Sequence, residues 1–430
     1  MTLQNDPLAA LWMPFTANRA FKATPRQLKS AKDMHYTSDD GRQILDGTAG
    51  LWAVNAGHCR PSIVAAIQKT AAELDYAPPF QLGHPLSFEL ATRIADLMPT
   101  GLDRIFFTNS GSESVDTALK IALAYQRARG QGTRTRLIGR ERGYSGVGFG
   151  GISVGGIVNN RRQFGTLLAG VDHLPHTHNL EHNAFTKGRP QWGAHLADNL
   201  EAIVALHGAE TIAAVIVEPM AGSTGVLVPP QGYLEKLREI TTKHGILLIF
   251  DEVITGFGRL GEWFGATYYG VTPDMITFAK GVTSGYQPLG GVITGEAINN
   301  ALATDPAFFL RHGYTYSGHA TVCAAALANI AIMEREGLVE RAKHIGARIE
   351  QGLQALSADG TLTGYRGAGA IWAGKLPDDM DATVVRDAMI KKGVIARSIP
   401  GVIAVCPPLV ITDQQVDTVL DVLASVVQSL

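Results

Sequence analysis

Three short segments carry side chains whose types and positions could do chemistry. Thr108-Asn-Ser-Gly-Ser-Glu113 lies between an apolar run and a helical repeat, and Ser110 and Glu113 stand at capping-box spacing. Ser110 is therefore the expected N-cap, with a helix opening at Gly111. The backbone N–H groups of Gly111 and Ser112 then lack partners four residues back. They sit beside the positive end of the helix dipole, an arrangement suited to a phosphate. In Phe250-Asp-Glu-Val-Ile-Thr-Gly-Phe-Gly-Arg259 an apolar strand delivers Asp251 at its C-terminal end, where open α/β sheets place their ligands. The run Met275–Ala279 repeats the arrangement and leads into Lys280, followed by glycine. Each segment alone has a plainer reading: an ordinary helix start, an aspartate capping a turn, a snorkelling lysine. Together they differ, because a buried carboxylate needs a partner and a desolvated amine is held nearer its neutral, nucleophilic form.

A sheet must position these groups. Apolar, β-branched runs occur at Arg104–Thr108, Thr135–Gly139, Ala213–Glu218, Ile246–Asp251 and Met275–Ala279. Between several of them lie helical stretches such as Glu113–Arg129, where Val115, Ala118, Leu119, Ala122 and Tyr125 recur at helical spacing. Buried strands alternating with helices predict an α/β domain with a largely parallel sheet. The last hundred residues change character. Helices are expected over Ala324–Glu336 and Val339–Leu356, strands around Ala370–Ala373 and Val402–Val405, and a helix from Asp413 onward. The first sixty residues are mixed and aromatic, and the two chain ends are expected to pack together as a smaller α+β domain. The expected division is 1–65 and 325–430 for that domain and 66–324 for the large one.

Composition narrows the function. Of 430 residues 46% are hydrophobic and 18% charged, which excludes a disordered chain. A net charge of −2 without a long run of like charge gives no support to nucleic-acid binding. Glycine is abundant, 48 residues without a Gly-X-Y period, so tight turns and close backbone approaches are expected. Cys59, Cys323 and Cys406 are odd in number and far apart, which suits a reducing compartment. The opening Met-Thr-Leu-Gln-Asn-Asp-Pro shows no basic stretch leading into an apolar one, and no apolar run approaches the roughly 18 residues of a membrane span. A cytoplasmic protein is the expectation.

A phosphate cradle, a carboxylate and a lysine at strand ends of one parallel sheet are the parts that a pyridoxal phosphate site needs. With them the chain resembles the class III, fold type I, pyridoxal-phosphate aminotransferases, and among them the ω-amino acid (β-alanine):pyruvate transaminases. The resemblance runs from about Leu11 to near the C-terminus. It is carried by Trp12-Met-Pro-Phe-Thr-Ala-Asn18, Gly50-Leu-Trp52, Thr108–Glu113, Phe250–Arg259, Lys280 and His312-Gly-Tyr-Thr-Tyr-Ser-Gly-His319. It implies a large domain with a mostly parallel seven-stranded sheet and a small α+β domain built from both chain ends. Lys280 would bind the cofactor covalently and shuttle the proton, and Asp251 would pair with the pyridinium nitrogen. Val253 and the ring of Tyr144 would sandwich the cofactor ring. Ser110, Gly111 and Ser112 would form the phosphate cradle, and Thr315 would reach the phosphate from a neighbouring subunit. A homodimer with shared active sites follows, and close relatives pair dimers into tetramers. One departure is Ser145, which stands where the family usually has histidine after the stacking tyrosine.

The same resemblance bears on substrates. Members that use glutamate carry an arginine shortly before a Pro-Pro near the C-terminus; here the matching residue is Ala404. Arg397 matches instead the mobile arginine with which pyruvate-dependent relatives hold a carboxylate, so pyruvate is the expected acceptor. Phe15, Trp52 and Phe80 are the expected pocket walls, although periodicity alone would place them in a core. Glu218 matches an acid that pairs with the missing arginine. Aminomutases and decarboxylases of the same fold share Lys280 and Asp251 and remain the alternative. His173, His176, His178 and His182, with Asp172 and Glu181, have the residue types of a zinc site. Pro175 and the polar surroundings favour a structural or interface loop there, and no metal is expected.

Overall fold

Ile212–Val217, Leu247–Asp251 and Met275–Phe278 are buried along their whole length, as unbroken apolar runs in a covered sheet require. The computed structural model describes residues 8–430. The first seven residues, from which the absence of a secretory leader is expected, lie outside the described residues. Seven strands form the central sheet: β1 (Arg104–Thr108), β2 (Arg136–Arg140), β3 (Val171–Leu174), β4 (Ile212–Val217), β5 (Leu247–Asp251), β6 (Met275–Phe278) and β7 (Gly290–Thr294). Their order is β1-β7-β6-β5-β4-β2-β3. Only β7 runs antiparallel to its neighbours.

Alternation along the central strands feeds two layers. Val215, Val217, Leu248, Phe250, Ile276 and Phe278 face the larger core, which reaches into the C-terminal region. Ala214, Ile216, Leu247, Ile249, Met275 and Val292 face a second core, closed by Val115, Ala118, Leu119 and Ala122 of the helix Gly111–Ala128. Each such large side chain contributes about 1.5–3 kcal/mol on burial. That helix begins where the capping spacing predicts: Ser110 Oγ accepts from the Glu113 N–H at 3.2 Å. Glu113 reaches back one residue further than a capping box requires, to the Asn109 N–H at 2.7 Å.

Strands β3 and β7 have no counterpart in the runs picked out by periodicity. Val171–Leu174 is half polar because it is an edge strand. Gly290 and Gly291 open β7 where any side chain would collide. A Cβ at 290 would lie 2.5 Å from Ser114 Oγ, and one at 291 only 2.4 Å from the Phe278 ring.

The chain ends meet as expected. Val394–Ile395 pairs in parallel with Gln43–Asp46, in a four-stranded sheet with Leu28–Lys32 and His35–Ser38. A second sheet runs in the order Gly364–Ala368, Ile371–Lys375, Val402–Val405, Arg397–Ile399. The helices Leu338–Ala358 and Asp413–Ser429 pack against each other in the same region, the latter opened by a capping box of Thr412 and Gln415. The divisions at 65/66 and 324/325 fall inside the helices Pro61–Glu73 and Ala320–Arg335, which pack on one another. Among the described residues no helix is long and apolar enough to cross a membrane.

Candidate active site

The C-terminal ends of β1, β2, β4, β5 and β6 converge on one cavity of about 150 Å³. Asp251 ends β5, and strand register sets it opposite Thr277. Its Oδ1 accepts both the Thr277 hydroxyl and the Val253 N–H, each at 3.2 Å. Both bonds fall on one oxygen, which leaves Oδ2 for a ligand. Burial pushes the Asp251 carboxyl up to about 6, against the Val253 N–H, Lys280 and Thr277, which favour the ionised form.

Lys280 follows β6 with a left-handed backbone, φ 49°, which turns its side chain away from the strand line and into the cavity wall. Burial lowers its amine's pKa, while Asp251 and Glu218 pull it back up. Glu218, immediately after β4, completes the polar wall. Its Oε1 accepts from the Tyr144 N–H at 2.8 Å, and its Oε2 from the Gly222 N–H at 3.1 Å. Burial and the neighbouring Asp251 raise it to about 7.

The opposite wall is the helix opening. Gly111 and Ser112 line the cavity, and they belong to the helix's first turn, whose N–H groups have no intrahelical acceptor. A side chain at 111 would stand 2.9 Å from Val253 Cγ2, so glycine lets the helix approach the Val253 wall. Ser112 Oγ accepts from the Val147 N–H at 3.1 Å, and Asp116 Oδ1 from the Gly151 N–H at 2.8 Å. These two bonds clamp the loop that carries Tyr144 onto the helix. Tyr144 lines the cavity half-buried; burial, Asp251 and Glu218 raise its hydroxyl, and Arg397 opposes them.

Six expected residues therefore meet in one cavity: Gly111, Ser112, Tyr144, Asp251, Val253 and Lys280. Ser110 stands behind them as the helix cap. Arg397 is exposed as a residue, yet its guanidinium is shielded enough that burial and Arg386 press its pKa down, with Tyr144 opposing. Trp52 is buried and packs behind Ile254, a cavity-lining residue. Phe15, Phe80 and Thr315 are exposed, and none of them lines the cavity of the single chain. Phe80 packs against Gly313, and the Tyr76 hydroxyl donates to the Thr315 carbonyl at 3.1 Å, so Phe80 and Thr315 share one surface. Gly146, Ile254 and Ala279 also line the cavity without having been expected there. The Gly-rich run from Gly143 was the one available signal for Gly146.

The histidine-rich stretch is not one loop. Asp172 and His173 lie on β3, because this edge strand tolerates polar residues. The His173 ring sits 2.7 Å from Arg161 Nη1 and 3.0 Å from the Gly155 carbonyl. His182 stacks on Trp192, and burial holds His178 down at about 4. Among the described residues no group of three or more His, Cys, Asp or Glu is gathered to hold a metal ion. Ser145 is buried, and its backbone oxygen would lie 2.2 Å from a Cβ at position 151.

An anion cradle, an uncommitted buried carboxylate oxygen, an amine and two flanking side chains around one slot match the parts of pyridoxal phosphate. Comparison with known proteins agrees. The chain is 54% identical over 429 residues to an omega-aminotransferase of Caulobacter vibrioides, covering 98% of each. It is 50% identical over 385 residues to a beta-alanine–pyruvate aminotransferase of Pseudomonas aeruginosa, covering 88% of this chain and 85% of that one. Its fold matches the PLP-bound amine transaminase of an uncultivated Pseudomonas species with a TM-score of 0.93, at 37% identity over 98% of each chain. The class-III aminotransferase model matches residues 16–427, and the chain belongs to this family of pyridoxal-phosphate-dependent enzymes.

Proposed function

We propose that the chain moves an amino group from an ω-amino acid of the β-alanine type, or a related amine, to pyruvate. The products are L-alanine and the corresponding aldehyde, semialdehyde or ketone. The observation that carries this reading is Arg397, near enough to the cavity's Tyr144 for its charge to act on that hydroxyl, with alanine opposite it at 404. It offers one movable cation for a substrate carboxylate instead of a fixed pair. The identity to relatives named for β-alanine, ω-amino acids and pyruvate supports it.

Bound pyridoxal phosphate supplies an electron sink and a carrier for the amino group. The chain's residues supply the rest. Lys280 would hold the cofactor through Nζ, and the same amine would carry the proton at the donor's amine-bearing carbon. Asp251, whose Oδ1 is taken by Val253 and Thr277, would pair with the cofactor's ring nitrogen and hold it protonated. Gly111 and Ser112 hold phosphate through their N–H groups, with Ser110 fixing the helix start. Val253 and Tyr144 would confine the ring; Trp52 would back the substrate wall, which Phe15 and Phe80 would complete across the dimer. Glu218 fixes the Tyr144 and Gly222 amides.

The working unit in this reading is a homodimer in which Thr315 serves the partner's phosphate. Phe15, Phe80 and Tyr316 support it, since they expose large aromatic surfaces that a monomer would leave wet. Three free cysteines support a reducing, cytoplasmic setting. The large unit over 66–324 and the small unit from both ends remain part of the same proposal.

Product analysis tests the reaction. With ¹³C-pyruvate and β-alanine, labelled L-alanine must appear in step with the semialdehyde. Labelled alanine absent, with carbon dioxide released or the donor isomerised, would replace transamination by decarboxylation or aminomutation.

A further inference from the structure

We propose that the buried Asp46–His58 pair positions Trp52 and thereby limits how large an amine donor the site accepts; this rests on the transaminase reading above. Asp46 is fully buried and His58 nearly so, with His58 Nε2 2.9 Å from Asp46 Oδ2. The same Oδ2 accepts the Gly50 N–H at 2.7 Å, while Oδ1 accepts the Thr48 N–H at 3.0 Å. One carboxylate thus gathers three groups from two segments of the chain. The backbone of His58 is locked by a reciprocal pair of bonds with Asp33, at 2.8 and 3.0 Å. The Tyr36 ring covers its imidazole at 4.3 Å between centroids.

The segment these bonds hold follows a costly path. Ala49, Gly50 and Trp52 have φ of 48°, 65° and 65°, and two of them carry a Cβ. Left-handed non-glycine residues cost about 1–3 kcal/mol each and persist only where surroundings over-determine them. The Asp46 carboxylate does so through the amides of Thr48 and Gly50, beside the Thr48 hydroxyl, which donates to the Gly50 carbonyl at 2.9 Å, and the Trp52 N–H, which donates to the Thr48 carbonyl at 2.9 Å.

That path sets Trp52 behind Ile254, a residue that lines the cavity. A Cβ at Gly222 would stand 2.5 Å from Trp52 Cζ3 and 2.8 Å from Ile254 Cδ1, so the indole, Gly222 and Ile254 are wedged together. Ile254 lines the cavity, and Gly222 N–H is held by Glu218 Oε2. None of Asp46, His58 and Trp52 lines the cavity; Trp52 bears on it through Ile254. Asp46 and His58 act through Trp52, and loosening them lets the indole withdraw and the wall recede.

The test compares holoenzymes of wild type, H58A, H58Q, D46N and W52A. Two measurements are made: kcat and KM for β-alanine and for 1-phenylethylamine, and amide hydrogen exchange over residues 48–54. H58A and D46N should shift the kcat/KM ratio toward the aromatic amine by about tenfold, through KM more than kcat. The Gly50 and Trp52 amides should lose protection, W52A should shift the ratio in the same sense, and H58Q, whose amide can still donate, should return toward wild type. Equal losses for both donors with a lower Tm would reduce the pair to a structural role and overturn the proposal. So would an unchanged ratio and unchanged protection in H58A while W52A shifts the ratio. A wild type that transfers from neither donor fails the transaminase reading instead. Amide exchange then decides the positioning role alone, and unchanged protection in H58A overturns it.

Discussion

Arg397 and Ala404 stand directly opposite each other in the antiparallel pair of Arg397–Ile399 and Val402–Val405. Directly opposed side chains leave the same face of a sheet. Glutamate-using members carry the arginine at the position of Ala404, which is fully buried here. Arg397 lies on the facing strand, near enough for its charge to act on Tyr144, and in the proposed reading it is the cation that takes a substrate carboxylate. Acidic substrates should therefore depend on Arg397 and neutral amines should not. R397A should raise KM for β-alanine and pyruvate by roughly 10- to 150-fold, the worth of about 1.5–3 kcal/mol for a charge-assisted bond. Turnover of an uncharged amine should hold. R397K should fall between them, since an ammonium cannot grip a carboxylate bidentately.

Asp251 predicts how cofactor affinity responds to pH. Burial lifts its carboxyl to about 6, above the usual carboxylate range, so without ligand the folded protein holds this proton up to about pH 6. The sign follows: ionising Asp251 costs stability as pH rises through about 6, and a cation at Oδ2 offsets that cost. Below pH 6 the neutral acid offers a protonated ring nitrogen no charge. The gap in log Kd for pyridoxal phosphate between wild type and D251N should be widest above pH 7 and close as pH falls through 6. Titration of the cofactor's own phosphate cancels in this comparison. A gap that widens in acid would contradict the pairing.

Gly146 joins the tyrosine loop to the helix opening. Its φ is +88°, and a Cβ there would lie 2.7 Å from Ser112 Cα, closer than any relaxed contact. G146A should push Ser112 out of line. Cofactor Kd, measured by equilibrium dialysis, should rise by at least about tenfold, with Tm lower by a few degrees.

Shared sites make a stoichiometric prediction. T315E, which sets a negative charge against phosphate, and K280A should each be inactive as homodimers. After mixing and reassociation, half of the dimers would hold one intact site, so activity should return to about a quarter of wild type. No recovery from subunits shown to have exchanged would place Thr315 in its own subunit's site.

Asp251, Lys280, Gly111 and Ser112 were legible because each ends a local signal, whereas Tyr144 and Val253 came only from the family resemblance. Asp251 and Lys280 close apolar strands, and Gly111 and Ser112 follow an N-cap, so the strand ends seen at Arg104–Thr108 and Leu247–Asp251 carried them to one edge. Strands without that signal escaped: β7 opens on two glycines and β3 is a half-polar edge. The substrate half is set by long-range geometry. Trp52 reaches Ile254 only through a bend built by Asp46 and His58, which periodicity does not encode. Phe15, Phe80 and Thr315 are exposed in the single chain, where no local signal marks a site.

The most direct measurement follows the absorbance of bound cofactor as holoenzyme receives β-alanine alone, and then pyruvate or 2-oxoglutarate in separate samples. The account predicts that β-alanine discharges the band and that pyruvate, but not 2-oxoglutarate, restores it. Restoration by 2-oxoglutarate alone would contradict the reading of Arg397 and Ala404, and a band unmoved by β-alanine would contradict the donor assignment.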